Sequence, residues 1–160
     1  MLSISRTSIS KSSEPTSIAI SSEIQRPVSR HQCGVLDTSV LMAFSLLRES
    51  DLPATSSIAT LTLAELAAGP LATTDPMKSA ERLERLAWAQ ARFDAIPFDL
   101  AAAHAYARIY AAMKHDQKPR GTRAVDYLIA ATALSRNLPL YTRNAVDFKS
   151  IGHLIEIVAV

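Results

Sequence analysis

The sequence predicts an α/β protein, a three-layer α/β/α sandwich built on a mainly parallel sheet. Two features carry that expectation. Along residues 32–160 short apolar runs of strand length alternate with longer segments of helical spacing, and strands that alternate with helices pair in parallel and are covered on both faces. With 160 residues and 48% apolar composition, the chain has enough apolar surface for one sizeable core and too little length for two ordinary domains.

The first segment lies apart from this alternation. Ten serines fall among residues 1–30, with Pro15 and Pro27 between them, so residues 1–31 are expected to form a flexible serine-rich extension and 32–160 the folded domain. The extension is either a tail with its own role or an over-long start. It lacks the apolar segment of a secretory signal, and Glu14 and Glu23 interrupt the basic pattern of a transit peptide.

Cys33 to Leu36 reads as a buried strand, and Ser39 to Arg48 as a helix with apolar residues at helical spacing. Ser57 to Thr60 is a second strand candidate. Leu61 to Gly69 follows as a helix that Gly69-Pro70 should stop. Asp75-Pro76 opens a helix from Met77 to about Phe93, with Leu83, Leu86, Ala87 and Trp88 on its apolar face. Ala95 to Phe98 suits a strand, and Asp99 caps an alanine-rich helix to about His115. Asp116 to Thr122 reads as a loop, Arg123 to Arg136 as a nearly all-apolar helix, Leu138 to Thr142 as a buried strand, and Leu154 to Val160 as the last strand.

Composition narrows the function classes. Seventeen basic and fifteen acidic residues give a formal charge of +2, so any nucleic-acid contact must be local rather than a property of the whole surface. One cysteine, Cys33, excludes an intramolecular disulfide and a multi-cysteine zinc site; it is expected in the core of a protein from a reducing compartment. No run approaches the roughly 18 to 20 apolar residues of a membrane span. A soluble, cytoplasmic protein is expected.

In open parallel sheets the crevice lies outside the carboxyl ends of the strands. Asp37 directly follows one buried strand and Asp147 lies a few residues past another. Each acid has an ordinary alternative. Asp37 can simply cap the next helix, a contribution of about 1 kcal/mol, and Glu65 can be an exposed helix residue. Asp126 heads an apolar helix, where a charge needs a partner or a metal, and Arg123 is the nearest candidate partner. Asp147 can be a loop acid near Lys149. Taken together, four carboxylates converging at one end of the sheet repel one another unless a divalent cation neutralises them. An oxygen-only donor set without His or Cys selects a hard ion, Mg²⁺ or Mn²⁺. Such an ion suits phosphodiester hydrolysis.

Val35 to Leu41, Leu63 to Leu66, Asp126 to Ala133 and Thr142 to Phe148 resemble, in order and spacing, the four motifs of VapC-type PIN domains. The resemblance spans residues 33–160 and implies the PIN-like form of the sandwich. It also implies a magnesium-dependent endoribonuclease, the toxin of a toxin-antitoxin pair, inhibited by a cognate VapB-type antitoxin. Asp37, Glu65, Asp126 and Asp147 would be its catalytic acids, with Asp37, Asp126 and Asp147 holding the metal. By the same resemblance Thr38 or Ser39, and Thr142 or Asn144, supply hydroxyl and amide groups that orient the site. The serine-rich extension departs from the family pattern.

Lys114, His115, Lys118, Arg120 and Arg123 form the densest basic stretch, beside the third motif. They are either a solvated loop or phosphate contacts for RNA, with Lys118, Arg120, Arg123 and also Arg143 as the candidates. His31, His104, His115 and His153 lack metal-ligand spacing and receive no catalytic role. Trp88 is expected in the core, although a helical hairpin there can offer an apolar groove to an antitoxin helix. Homodimerisation follows from the resemblance, with the alanine-rich segments Leu63 to Ala68 and Leu100 to Met113 as packing faces. Two rival functions are a PIN nuclease of RNA processing without an antitoxin and a PIN-fold binding module without catalysis.

Overall fold

The computed structural model describes residues 31–114 and 124–160. Five strands, β1 (Cys33–Leu36), β2 (Thr55–Ala59), β3 (Asp94–Ile96), β4 (Leu140–Thr142) and β5 (Ile157–Ala159), form one sheet in the order β3-β2-β1-β4-β5. Every pairing is parallel. Among the described residues five α-helices accompany them: α1 (Thr38–Met42), α2 (Thr60–Leu71), α3 (Pro76–Arg92), α4 (Leu100–Lys114) and α5 (Ala124–Ser135). The order reverses between β1 and β4, and that switch point is where a crevice opens in a parallel sheet.

Alternation along each strand divides the core in two. Val35, Ala59 and Leu140 face one layer with Ile109, Ile129 and Ala130, carried by α4 and α5, and with Phe148 and Ile151. Leu36, Ile58 and Tyr141 face the other with Val40, Leu66, Ala89 and Phe93, from the side of α1, α2 and α3. Successive strand residues point to opposite faces, so each short apolar run feeds both layers. The three-layer α/β/α sandwich is therefore present. Gly34 matters to the packing: a Cβ there would lie 2.7 Å from Cε2 of Tyr141, so only glycine lets that ring lie across β1.

Several local expectations are corrected. The helix expected over Ser39 to Arg48 stops at Met42 and gives way to short 3-10 turns at Phe44–Leu46 and Glu49–Asp51. The chain turns because Phe44 packs edge-on against Trp88 and Phe93, with ring centroids 4.9 and 5.7 Å away. Helix α2 runs through Gly69-Pro70 to Leu71: Pro70 gives up one hydrogen bond, to the Leu66 carbonyl, a residue before the helix ends, and its ring is buried. On α3 the inward face is Leu86, Trp88 and Ala89, whereas Leu83 is 53% exposed and Ala87 is exposed. Cys33 is exposed at the start of β1, not in the core. Strands β3 and β4 are shorter than expected; Pro97 directly follows β3 and Pro139 directly precedes β4, since proline donates no ladder hydrogen bond.

Asp99 does cap α4: its Oδ1 accepts the Ala102 N–H at 3.0 Å, and its Oδ2 accepts from Arg136 at 2.7 Å. The Ala102 N–H first, and Arg136 after it, hold its carboxyl below the usual carboxylate range. His31, at the edge of the expected extension, is tied into the fold through Tyr141 (2.8 Å) and Glu156 (3.2 Å). The rest of that extension, and the expected loop 116–122, lie outside the described residues. Among the described residues no helix is long and apolar enough to cross a membrane.

The fully buried Thr62 hydroxyl has no hydrogen-bond partner among the described residues. An unsatisfied buried hydroxyl is a liability that an isosteric apolar side chain removes. Thr62→Val is expected to hold or raise stability, by up to about 1 kcal/mol, in urea denaturation. A loss of more than about that amount shows that the hydroxyl is satisfied in solution.

Candidate active site

Asp37 leaves the sheet at the carboxyl edge of β1, where its N–H still donates to the Tyr141 carbonyl of β4 at 2.9 Å. It is only 4% exposed. The capping reading of this residue holds, since its Oδ1 accepts the Thr38 N–H at 2.8 Å at the start of α1. Its Oδ2 accepts from Ser39 Oγ at 2.7 Å and from Thr142 Oγ1 at 2.8 Å. All three donors are neutral, and among the described residues no Lys, Arg or His forms an ion pair with it. A buried carboxylate costs several kcal/mol unless compensated, and the three convergent donors supply compensation here.

Thr38 links Asp37 to the second acid. Its backbone serves Asp37 while its hydroxyl donates to Oε2 of Glu65, at 2.5 Å, on the half-buried side of α2. Ser39 and Thr142 also approach each other, at 3.3 Å. The turn after β4 closes over this pair: the Arg143 N–H donates to Ser39 Oγ and the Asn144 N–H to Thr142 Oγ1, each at 3.1 Å. Asn144 thus contributes its backbone rather than its amide side chain, which is exposed. The Arg143 side chain is exposed beside the site.

Asp126 and Asp147 form a second group. Asp126 is half-buried in the first turn of α5, and Asp147 is half-buried in the 3-10 helix Ala145–Ile151 that follows β4. Tyr127 joins the two segments by donating its hydroxyl to the Asp147 carbonyl at 3.1 Å. The Asp147 N–H donates to the Asn144 carbonyl at 2.9 Å, which fixes the segment back to the turn above Asp37. Tyr127 is a residue that sequence reasoning quoted without giving it a role. Its signal was a hydroxyl-bearing side chain next to an acid in an otherwise apolar helix.

The structure therefore couples Asp37 to Glu65 through Thr38, and ties the Asp147 backbone to α5, next to Asp126, through Tyr127. Among the described residues no three His, Cys, Asp or Glu side chains are grouped so that they could hold one ion. Of the phosphate-contact candidates, Lys118, Arg120 and Arg123 lie outside the described residues, as does His115. Lys114 ends α4, exposed, and His104 and His153 are exposed away from these hydrogen bonds.

A parallel α/β/α sandwich with an oxygen-lined acidic edge at its switch point is the class that fold and site define. Comparisons with known proteins agree. The family model described as "PIN domain" matches residues 34–154. Ribonuclease VapC5 of Mycobacterium tuberculosis is 36% identical over 121 residues, covering 74% of this chain and 87% of that protein. Ribonuclease VapC of Rickettsia bellii is 33% identical over 94 residues, 59% of this chain and 69% of that protein. The solved structure of VapBC-5, a member of the VapBC family of toxin-antitoxin systems from M. tuberculosis, superposes with a TM-score of 0.72 at 35% identity, over 81% of this chain and 99% of that chain. VapBC2 of Rickettsia felis, bound to a DNA fragment from its promoter, shares the fold with a TM-score of 0.62 at 24% identity, over 78% of this chain and 96% of that one. The chain belongs to the PIN domain family, and within it to the VapC type.

Tyr127→Phe removes the hydroxyl that ties α5 to the Asp147 segment. It is expected to lower stability by about 1 kcal/mol in chemical denaturation, since the Asp147 carbonyl can turn to water. A neutral result would show that this tie does not hold the two segments together.

Proposed function

We propose that the protein is an endoribonuclease, the toxin partner of a VapBC-type pair, acting with Mg²⁺ or Mn²⁺ at the edge formed by Asp37, Glu65, Asp126 and Asp147. One observation carries the reading: Asp37 is 4% exposed at the switch point, compensated only by neutral donors among the described residues. Family membership and relatives named as ribonucleases support the RNA substrate.

The donor set fits a hard divalent ion. Its groups are carboxylate and hydroxyl oxygens, without the nitrogen or sulfur that softer metals select. Mg²⁺ keeps several waters and is commonly bound through one or two carboxylates. Asp37, Asp126 and Asp147 are the residues that would hold such an ion. The ion, when bound, activates a water and neutralises charge on a phosphodiester.

The chain's own groups supply the rest. Thr38 occupies Oε2 of Glu65 and orients that carboxyl, which leaves Oε1 to take a proton from an attacking water. The turn at 142–144 holds Ser39 and Thr142 against Asp37, so the carboxylate is fixed before substrate arrives. Exposed Arg143 and Lys149 flank the acids and suit contacts to neighbouring phosphates.

An antitoxin of the VapB type is the proposed partner, in line with the toxin-antitoxin complexes that this fold matches. Pairing of two copies suits α4, whose exposed side carries Leu100 and Tyr110 among the alanines 101, 103, 107 and 111. The cytoplasm, where RNA is abundant, is the proposed site of action.

Purified protein incubated with total RNA and Mg²⁺ is expected to yield discrete fragments. These disappear with EDTA, and also with Asp126→Asn, for which a loss of at least about a hundredfold is expected. RNA left intact by folded, antitoxin-free protein in both Mg²⁺ and Mn²⁺ contradicts the catalytic reading and favours a binding module.

A further inference from the structure

The two oxygens of Asp37 are not equivalent. Oδ2 accepts from the Ser39 and Thr142 hydroxyls, at 2.7 and 2.8 Å. Each hydroxyl in turn accepts a backbone N–H, from Arg143 and Asn144 respectively, both at 3.1 Å. A hydroxyl has one proton to give. With an N–H already at an acceptor position on each oxygen, both protons point to the carboxylate. The contact between the two hydroxyls is longer, at 3.3 Å, and is the weaker competitor. Both lone-pair directions of Oδ2 are therefore taken. Oδ1 accepts only the Thr38 N–H among the described residues, so it keeps one direction open.

We propose that Ser39 and Thr142 set the ion preference of the site by saturating Oδ2, which restricts Asp37 to one-oxygen ligation through Oδ1. That mode suits a small octahedral ion such as Mg²⁺, which retains its waters at short, regular distances. A larger ion such as Ca²⁺ takes more ligands and readily uses both oxygens of a carboxylate, a mode these hydroxyls deny it. The turn at 142–144 belongs to the selection as well, because its N–H groups aim the hydroxyl protons. Ser39 and Thr142 are thus positioning residues that act through Asp37. The inference rests on the divalent-ion reading of the site made above.

Its test is ion binding rather than activity. Mn²⁺ is bound to the full-length protein, followed by the electron paramagnetic resonance of the free ion, and displaced by Mg²⁺ or by Ca²⁺ in separate titrations. The wild-type chain is expected to prefer Mg²⁺. Thr142→Val and Ser39→Ala each free one position on Oδ2 and are expected to shift the ratio of the two dissociation constants toward Ca²⁺ by about tenfold, in the range that outer-shell partners exert on metal sites. Thr142→Ser keeps the hydroxyl and is expected to keep the wild-type ratio. Circular dichroism and cooperative unfolding identify which variants are folded, and either Thr142→Val or Ser39→Ala suffices. A folded variant that weakens both ions equally overturns the inference and leaves the ion site standing. A wild-type chain that binds no Mn²⁺ overturns the ion site, and this inference with it.

Discussion

A carboxylate buried as deeply as Asp37 has to be compensated, and here the compensation is assembled from three separate pieces of chain. The start of α1 gives the Thr38 N–H and the Ser39 hydroxyl, β4 gives the Thr142 hydroxyl, and the turn beyond β4 gives the N–H groups that aim them. None of these groups is charged. Hydrogen bonds to an ionised acceptor are worth roughly twice those between neutral groups, so three suffice to keep the charge inside without extinguishing it. A full counter-charge would neutralise the site; neutral donors leave its negative potential in place.

Much of the fold follows from holding those pieces in register. β1 and β4 must be neighbours for Thr142 to reach Asp37, and the sheet order that makes them so is also the one that puts the switch point there. Gly34 admits the Tyr141 ring across β1, immediately before Thr142 in the chain. On the other face, Phe148 and Ile151 anchor the 3-10 helix that carries Asp147, and Tyr127 clamps α5 to it. Core packing and site geometry thus depend on the same few contacts, and a change in either is felt in the other.

The layer architecture was legible because short apolar runs such as Cys33–Leu36 and Leu140–Thr142 alternate with longer segments of helical spacing such as Leu100–Lys114 and Ala124–Ser135. What was not legible depended on partners distant in sequence. The helix after Asp37 looks continuous to Arg48 until Phe44 meets Trp88 and Phe93 from α3 and its end. Gly69-Pro70 looks like a stop until the proline ring finds a buried place. At the site, the acids stood out by their position after strands and at a helix start. The roles of their neighbours did not, because Asn144 acts through its backbone and Thr38 through both backbone and hydroxyl, a distinction no residue type announces. Asp37 itself admitted two readings, cap and site, and the structure shows the first.

Thermal unfolding with and without Mg²⁺ tests most directly whether the charge at Asp37 is held ready for a divalent ion. An ion that binds the folded state alone raises the unfolding temperature, and the rise continues with the logarithm of ion concentration once that exceeds the dissociation constant. The wild-type chain should be stabilised by Mg²⁺ progressively as the ion rises above its dissociation constant, and Asp37→Asn, folded and cooperative, should lose that response. Equal stabilisation of both proteins, or none in the wild type at millimolar Mg²⁺, would contradict the account.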